Sequence, residues 1–216
     1  MGVGLRVPVQ ARSVRTRGDL IAAARQEFSA QGYALTTAKT IAARAQVGTG
    51  TFYHYFPDKD ALLRVIVAER IETLEGSLTS HDLEVSLDGR DARAQLAELR
   101  RRIRRDVDSY VEYHRAERGL HAVISERRLC DPEIDAIMHA VEQRGMRRTA
   151  ASLARWGFRG DARAAAFMIF SLLDGAVHNH VLGQPTLSDA RFVEALAEAI
   201  LHIGMPPQRL LELEAR

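Results

Sequence analysis

The sequence predicts an all-α protein, and three observations carry that prediction. Alanine is abundant while aromatic residues make up only 6% of the chain, so helix formers outweigh the residues that sheets favour. Apolar residues recur at helical spacing over long stretches, and alternating β-branched runs are few. Glycine or acid-proline punctuation separates those stretches, most clearly at Asp131-Pro132-Glu133. With 216 residues and 46% hydrophobic content, the chain has material for a packed core in one large or two small domains.

Residues 1–15 read as a disordered basic arm, since Arg6, Arg12 and Arg15, with Arg17 just beyond, concentrate positive charge there. Such an arm suits a phosphate backbone or a minor groove, or serves merely as a soluble tail. The next signal is Thr37, placed as an N-cap whose hydroxyl can accept an orphan backbone N–H. Ile41, Ala42 and Ala45 follow at helical spacing and give a short helix over 38–45. Val47 reads as a buried turn residue, Gly48 starts the next helix, and Phe52 and Phe56 face inward from a second short helix over 49–56. Two short helices joined by about three residues have helix-turn-helix geometry. The outer face of the second helix is small and hydrogen-bonding: Thr49, Gly50 and Thr51, then Tyr53 and His54. Small residues let a helix sink into a major groove, where hydroxyls serve base edges or phosphates. Pro57 ends this helix, Asp58 caps another, and Lys59 sits in its first turn. The chain's two lysines, Lys39 and Lys59, both fall in this unit.

Residues 17–67, RGDLIAAARQEFSAQGYALTTAKTIAARAQVGTGTFYHYFPDKDALLRVIV, resemble the N-terminal domain of TetR-family transcriptional regulators. The likeness is carried by Phe28, Gly32-Tyr33, Thr37, Ile41-Ala42, Ala45, Val47, Gly50-Thr51, Tyr53, Tyr55-Phe56 and Lys59 before Leu62-Leu63. It implies a three-helix DNA-binding head over 16–58, whose first helix ends at Phe28, and a helical effector-binding and dimerisation domain over 59–204. A tail, 205–216, would follow. Carried over position by position, the resemblance implies that Lys39, Thr49, Gly50, Thr51 and His54 face the groove, and that Thr37, Tyr53 and Lys59 hold phosphates. Two departures stand out. The family usually has glycine where Gln46 stands and often serine where Gly48 stands, so a residue with a β-carbon must make the turn here.

Charge segregates along the chain. Residues 1–59 hold eight Lys/Arg against three Asp/Glu, a net of +5, whereas residues 60–216 hold 22 against 25, a net of −3; together they give the overall +2. A basic head on a slightly acidic body suits a partner made of phosphate. The single cysteine, Cys130, can form no internal disulfide, and the N-terminus lacks the apolar core of a signal peptide. The longest apolar run, 164–173, is short for a bilayer span, so a soluble cytoplasmic protein with no membrane partner is expected.

The body reads as a series of helices. The Asp58 helix continues to about Glu75 with Leu62, Leu63, Ile66, Val67, Ile71 and Leu74 on one side, and 76–89 read as a loop. A long helix is predicted over 91–118, its stripe being Leu96, Leu99, Ile103, Val107, Tyr110, Val111 and His114, with Gly119 as terminator. The arginines at 100, 101, 102, 104 and 105 suggest either a second nucleic-acid patch or, given Glu98, Asp106 and Asp108 nearby, a solvated ion-paired face, the reading preferred. A short helix over 119–129 follows, then one from the Asp131-Pro132 start to Trp156. The last two helices span 162–182 and 189–203. The first is apolar nearly all round, unlike a surface helix, and either fills its own core or meets a partner.

The resemblance implies that these two helices form a four-helix homodimer interface, with Gly175 allowing close approach. It also implies repression relieved by a small organic effector. A dimer likewise suits a palindromic operator of double-stranded DNA. Candidate pocket residues are Tyr110, Tyr113, His114, His121, Met138, Trp156, Phe167 and Phe170, apolar walls with a few polar handles, each also ordinary core material. Histidines 114, 121, 139, 178 and 180 raise the question of catalysis, but no HExxH, CxxC or nucleophile motif accompanies them, and Asp174 with His178 at i, i+4 reads as a simple pair. No catalytic residue, metal or cofactor is therefore assigned. The alternative, a helical ligand carrier without DNA function, leaves Tyr53, Lys59 and the basic head unexplained.

Overall fold

The computed structural model describes residues 9–79, 92–205 and 210. Among these residues every regular element is a helix: α1 (Val9–Leu35), α2 (Ala38–Arg44), α3 (Thr49–Tyr55), α4 (Lys59–Thr79), α5 (Ala92–Ala116), α6 (Arg118–Arg128), α7 (Pro132–Arg155), α8 (Ala162–Leu182) and α9 (Asp189–Gly204). The all-α expectation stands. The chain forms two compact units, one built from Met1–Glu72 and Gly119–Ile137, the other from Thr73–Arg118 and Met138–Arg216.

In the first unit Leu20, Ala24, Phe28, Ile41, Phe52, Leu62, Leu63, Ile66, Leu120 and Ile134 are fully buried. Burial of each leucine, isoleucine or phenylalanine contributes about 1.5–3 kcal/mol, so the head has a real core despite its short helices. α1 begins well before the predicted helix: Arg12, Arg15 and Arg17 lie on it rather than on an arm. Local pairs favour this, with Thr16 Oγ1 donating to the Arg12 carbonyl and Arg15 lying 4.0 Å from Asp19. Arg6 and the rest of 1–8 lie outside the described residues. A kink at Gly32 (φ 76°, ψ 179°) separates the long part of α1 from its last turn, where the Gly32-Tyr33 turn was expected.

The predicted break at Gly119 falls earlier. α5 stops at Ala116 and α6 starts at Arg118, leaving Gly119 inside a helix. Its role is proximity: a β-carbon at 119 would stand 2.2 Å from the Ser29 carbonyl oxygen of α1. Only glycine permits that approach of two backbones. Sequence spacing near 119 carries no trace of this partner ninety residues away. α6 ends in a turn, and Asp131 then starts α7 as predicted, its Oδ1 accepting from Glu133 N at 2.9 Å and Ile134 N at 3.3 Å.

In the second unit α5, α8 and α9 pack together around Leu96, Leu99, Val107, Val111, Val177, Val181, Val193, Leu196 and Leu201. A smaller cluster joins Leu153 to Ala165, Ala166 and Ile169. α4 runs to Thr79, past the predicted end near Glu75, where the Arg144 guanidinium of α7 holds Glu75 Oε1 at 2.8 Å. The remainder of the predicted loop, from 80 onward, and the tail other than Met205 and Leu210 lie outside the described residues. The arginine row of α5 pairs along its own helix and with α9: Arg101 and Arg105 with Glu98, Arg102 with Asp106, Arg100 with Glu198 and Arg104 with Glu194. That is the solvated, ion-paired face.

α8 is capped by Asp161, which accepts from Arg163 N and Ala164 N. By length and composition it is the one helix among the described residues able to cross a membrane, with a window of mean hydropathy 1.3, and 33% of that window is buried within the chain. The helix has the bounds predicted for it, 162–182, and the apolar run 164–173 lies within it.

Candidate nucleic-acid interface

The helix-turn-helix is held by two local devices. At its entry Thr37 (φ −130°, ψ 158°) accepts from Thr40 N at 3.1 Å, and Thr40 Oγ1 accepts in return from Thr37 N at 3.0 Å. This reciprocal box satisfies two orphan donors, and its T-x-x-T spacing, Thr37 to Thr40, is legible in the sequence. At the exit of α2, Val47 N donates to Ala42 O at 3.0 Å and Gln46 N to Ala43 O at 3.1 Å. These bonds make a Schellman motif, whose outer residue must be left-handed. That residue is Gln46, at φ 57°. The turn takes the conformation that glycine would favour, with a β-carbon present.

α3 is seated by Phe52, fully buried, and by Phe56, 4% exposed. Tyr55 Oη donates to Ser13 Oγ at 3.1 Å and ties α3 to α1. Val47 is half-buried, not fully buried as predicted, because it sits at the edge of the turn. What α3 leaves outside is Thr49, Gly50, Tyr53 and His54, with Thr51 half-buried; Tyr53 is 57% exposed and edge-on to Phe52. Thr37 and Lys39 at the start of α2 are exposed as well. These six exposed residues lie on two adjoining short helices and the cap of the first.

Lys59 sits differently. Half-buried, it donates from Nζ to the carbonyls of Tyr33 and Thr36, both at 2.8 Å, and lies 3.9 Å from the centre of the Tyr33 ring. Burial, opposed by Asp60, lowers its pKa from the ordinary lysine value. In this arrangement the ammonium clasps the segment leading into α2. Other head cations are also engaged: Arg44 with buried Glu27, which Gln31 also meets, and Arg17 with Glu69 and the Phe56 ring. Arg12 and Arg15 are exposed on α1.

The residues expected to line a pocket belong to both units. Tyr110, Tyr113 and His114 adjoin on α5, where Tyr110 Oη donates to Asp174 Oδ1 at 3.1 Å and His114 Nδ1 lies 2.7 Å from the Tyr110 carbonyl. His178 Nδ1 stands 3.3 Å from Asp174 Oδ1, so the predicted i, i+4 pair forms and joins this group. Burial pushes the Tyr110 phenol well up, and the charge and hydrogen bond of Asp174 reinforce it. Burial opposes ionisation of Asp174, yet the bonds from His178 and Tyr110 hold its carboxyl below the usual range. Trp156 packs within the apolar clusters, Phe170 lies beside Gly145, Met138 is half-buried, and Phe167 is 56% exposed on α8. His121 is buried in α6, in the first unit.

Comparison with known proteins bears on what this arrangement does. Residues 20–66 match the family described as bacterial regulatory proteins, tetR family, and residues 98–202 match the tetracyclin repressor-like C-terminal domain. The chain belongs to the TetR family. It is a DNA-binding transcriptional regulator. The HTH-type transcriptional regulator HbdR of Aromatoleum sp. (strain CIB) is 44% identical over 59 residues, 27% of this chain and 26% of that protein. The fold resembles the fatty acid degradation regulator FadR of Bacillus halodurans, with a TM-score of 0.66 at 19% identity over 95% of this chain and 100% of that one. It also resembles a Saccharomonospora viridis transcriptional regulator solved in complex with choline, at a TM-score of 0.70 and 17% identity over 88% and 97% of the chains. In the TetR-family head, the capping box and the Schellman turn are thus the local means by which this sequence presents α3.

Proposed function

We propose that this regulator is a cytoplasmic repressor that binds a partly palindromic operator as a homodimer and leaves it when a small organic effector binds. The observation that carries the reading is the outer face of α3, where Thr49, Gly50, Tyr53 and His54 stand exposed beside Thr37 and Lys39 while Phe52 and Phe56 anchor the helix from within. Within the DNA-reading segment, 16–58, we assign Lys39, Thr49, Gly50, Thr51 and His54 to the groove. Thr37 and Tyr53 are assigned to phosphates. Lys59, Nζ-bonded to Tyr33 and Thr36, orders the backbone beside them and lends its charge to the same phosphates.

The remainder, 59–204, is assigned effector binding and dimerisation. Support for dimerisation through α8 and α9 comes from Phe167 and Met168, each 56% exposed, and from exposed Gly175 on the same helix. Exposed large apolar residues on an apolar helix mark an association surface. The effector is assigned to the neighbourhood of Tyr110, Tyr113 and His114, with Met138, Trp156, Phe167, Phe170 and His121 as the further candidates. The hydrogen-bonded Tyr110–Asp174–His178 group supplies polar handles.

The test is binding of purified protein to labelled DNA from the gene's own upstream region, measured by anisotropy from low to high salt. Saturable binding with sequence preference and a steep salt slope is expected. Flat salt dependence without preference would sink the proposal, as would a monomer at micromolar concentration.

A further inference from the structure

Tyr33 is the point where three parts of the first unit meet. Its hydroxyl donates to Asp60 in the first turn of α4, and its carbonyl accepts from Lys59 Nζ. The same ammonium also bonds the Thr36 carbonyl, one residue before the Thr37 cap of α2. Its ring stacks on Phe28, nearly parallel at 6.2 Å between centres. The third part comes from far along the chain: the Arg127 guanidinium, in the last turn of α6, lies 4.1 Å from the ring centre. Two cations therefore lie over one aromatic ring, Lys59 at 3.9 Å and Arg127 at 4.1 Å.

That placement is costly unless something holds it. The two like charges repel, and Arg127 Nε is buried with no hydrogen-bond partner among the described residues. Four residues on, Asp131 is fixed by Arg64 of α4 at 3.0 Å while capping α7. The segment 119–137 is thus gripped at Gly119 and Asp131, and Arg127 is presented to Tyr33 from between those anchors.

We infer that Arg127 is a positioning residue for operator binding. It acts through the Tyr33 ring on the Lys59–Thr36 clasp, and so on the angle at which Thr37 starts the helix-turn-helix. Arg127 touches no DNA in this role. The inference rests on the operator-binding reading for its affinity arm, and its second arm is independent of DNA.

The experiment compares wild type, Arg127→Gln, Arg127→Lys and Tyr33→Leu, with Arg127→Gln also made in the Tyr33→Leu background. Far-UV circular dichroism verifies the folding of each, and if Arg127→Gln does not fold, Arg127→Lys and Tyr33→Leu decide. Arg127→Gln is expected to weaken operator binding about tenfold, the size of one partly buried cation–π contact. The log–log salt slope stays unchanged, and lysine restores most of the loss. In the Tyr33→Leu background the substitution has no further effect. Independently of DNA, Arg127→Gln speeds amide exchange of the 36–41 segment and leaves α9 peptides untouched. A salt slope lower by about one would make Arg127 a phosphate contact and overturn the inference. So would a full additional loss in the Tyr33→Leu background, or unchanged exchange at 36–41. Absence of upstream DNA binding by the wild type would instead count against the operator reading, with exchange still deciding the role of Arg127.

Discussion

Replacing Gln46 with glycine is expected to stabilise the head by about 0.5–1 kcal/mol. Gln46 holds φ at 57° because the Schellman bonds from Val47 and Gln46 to Ala42 and Ala43 require it. A β-carbon in that region costs about 1–2 kcal/mol. Glycine removes this strain but enlarges the unfolded ensemble, which returns about 0.4–1 kcal/mol. The side chain is exposed, so its loss forfeits little packing. The chain contains its own reference, because α7 ends in the same motif, with Phe158 N bonded to Leu153 O at 3.0 Å and glycine, Gly157 at φ 77°, in the left-handed position. Thermal unfolding of the full chain is the assay, with the head's transition expected to rise several degrees at about 4–8 °C per kcal/mol. Gln46→Val should lower that transition and Gly157→Ala should lower the stability of the second unit. If Gln46→Gly leaves the head unchanged or less stable while Gln46→Val is neutral, the strain assigned to the turn does not exist.

The remaining predictions concern titration, assembly and readout. Burial opposes ionisation of Asp131, but Arg64 and the backbone N–H groups of Ile134 and Glu133 hold its carboxyl below the usual range. A depressed carboxylate gives stability that is present above about pH 4 and lost as pH falls below it, so Asp131→Asn should flatten that acid limb in pH-dependent unfolding. Burial, then the hydrogen bond and charge of Asp60, push the Tyr33 phenol up to about 12. That contribution is complete below pH 10 and lost as pH rises through the folded value, and ultraviolet titration should show Tyr33 and Tyr110 titrating late, of which Asp60→Asn brings only Tyr33 earlier. Phe167→Glu should convert the proposed dimer to a species at the chain mass of 24.0 kDa in light scattering, whereas an unchanged mass would move the interface elsewhere. Finally, Tyr53→Phe should weaken all DNA alike, and Thr49→Ala should change preference among operators. Equal losses on specific and random DNA for Thr49→Ala would contradict its placement in the groove.

The legible parts of this molecule are those whose causes lie within one turn of the chain. Thr37, Asp58 and Asp131-Pro132 act on neighbours a few residues away, and the helices they start lie close to where spacing places them. Phe52 and Phe56 face inward for the same reason. Distant contacts are a different matter. Gly119 looks like a terminator until Ser29 is seen against it, and nothing near Lys59 in the sequence announces that its ammonium bonds the Tyr33 and Thr36 carbonyls. Arg127 carries no local signal at all, because its partner is a ring in α1. On α1, Arg12 and Arg15 concentrate charge as an arm does, yet arginine, alanine and glutamine all favour a helix, and the helix forms.

The first unit takes its chain in two instalments, residues 1–72 and 119–137, so the polypeptide crosses between units three times. A fragment cut after Glu72 would lack Leu120 and Ile134 from the core, Arg127 from the Tyr33 ring and Asp131 from Arg64. Such a fragment is half-built, and grafting this head onto another sensor means making three junctions where a linear domain map suggests one. The two units are spliced together covalently, and recombination can exchange them only by carrying the 119–137 segment along with residues 1–72.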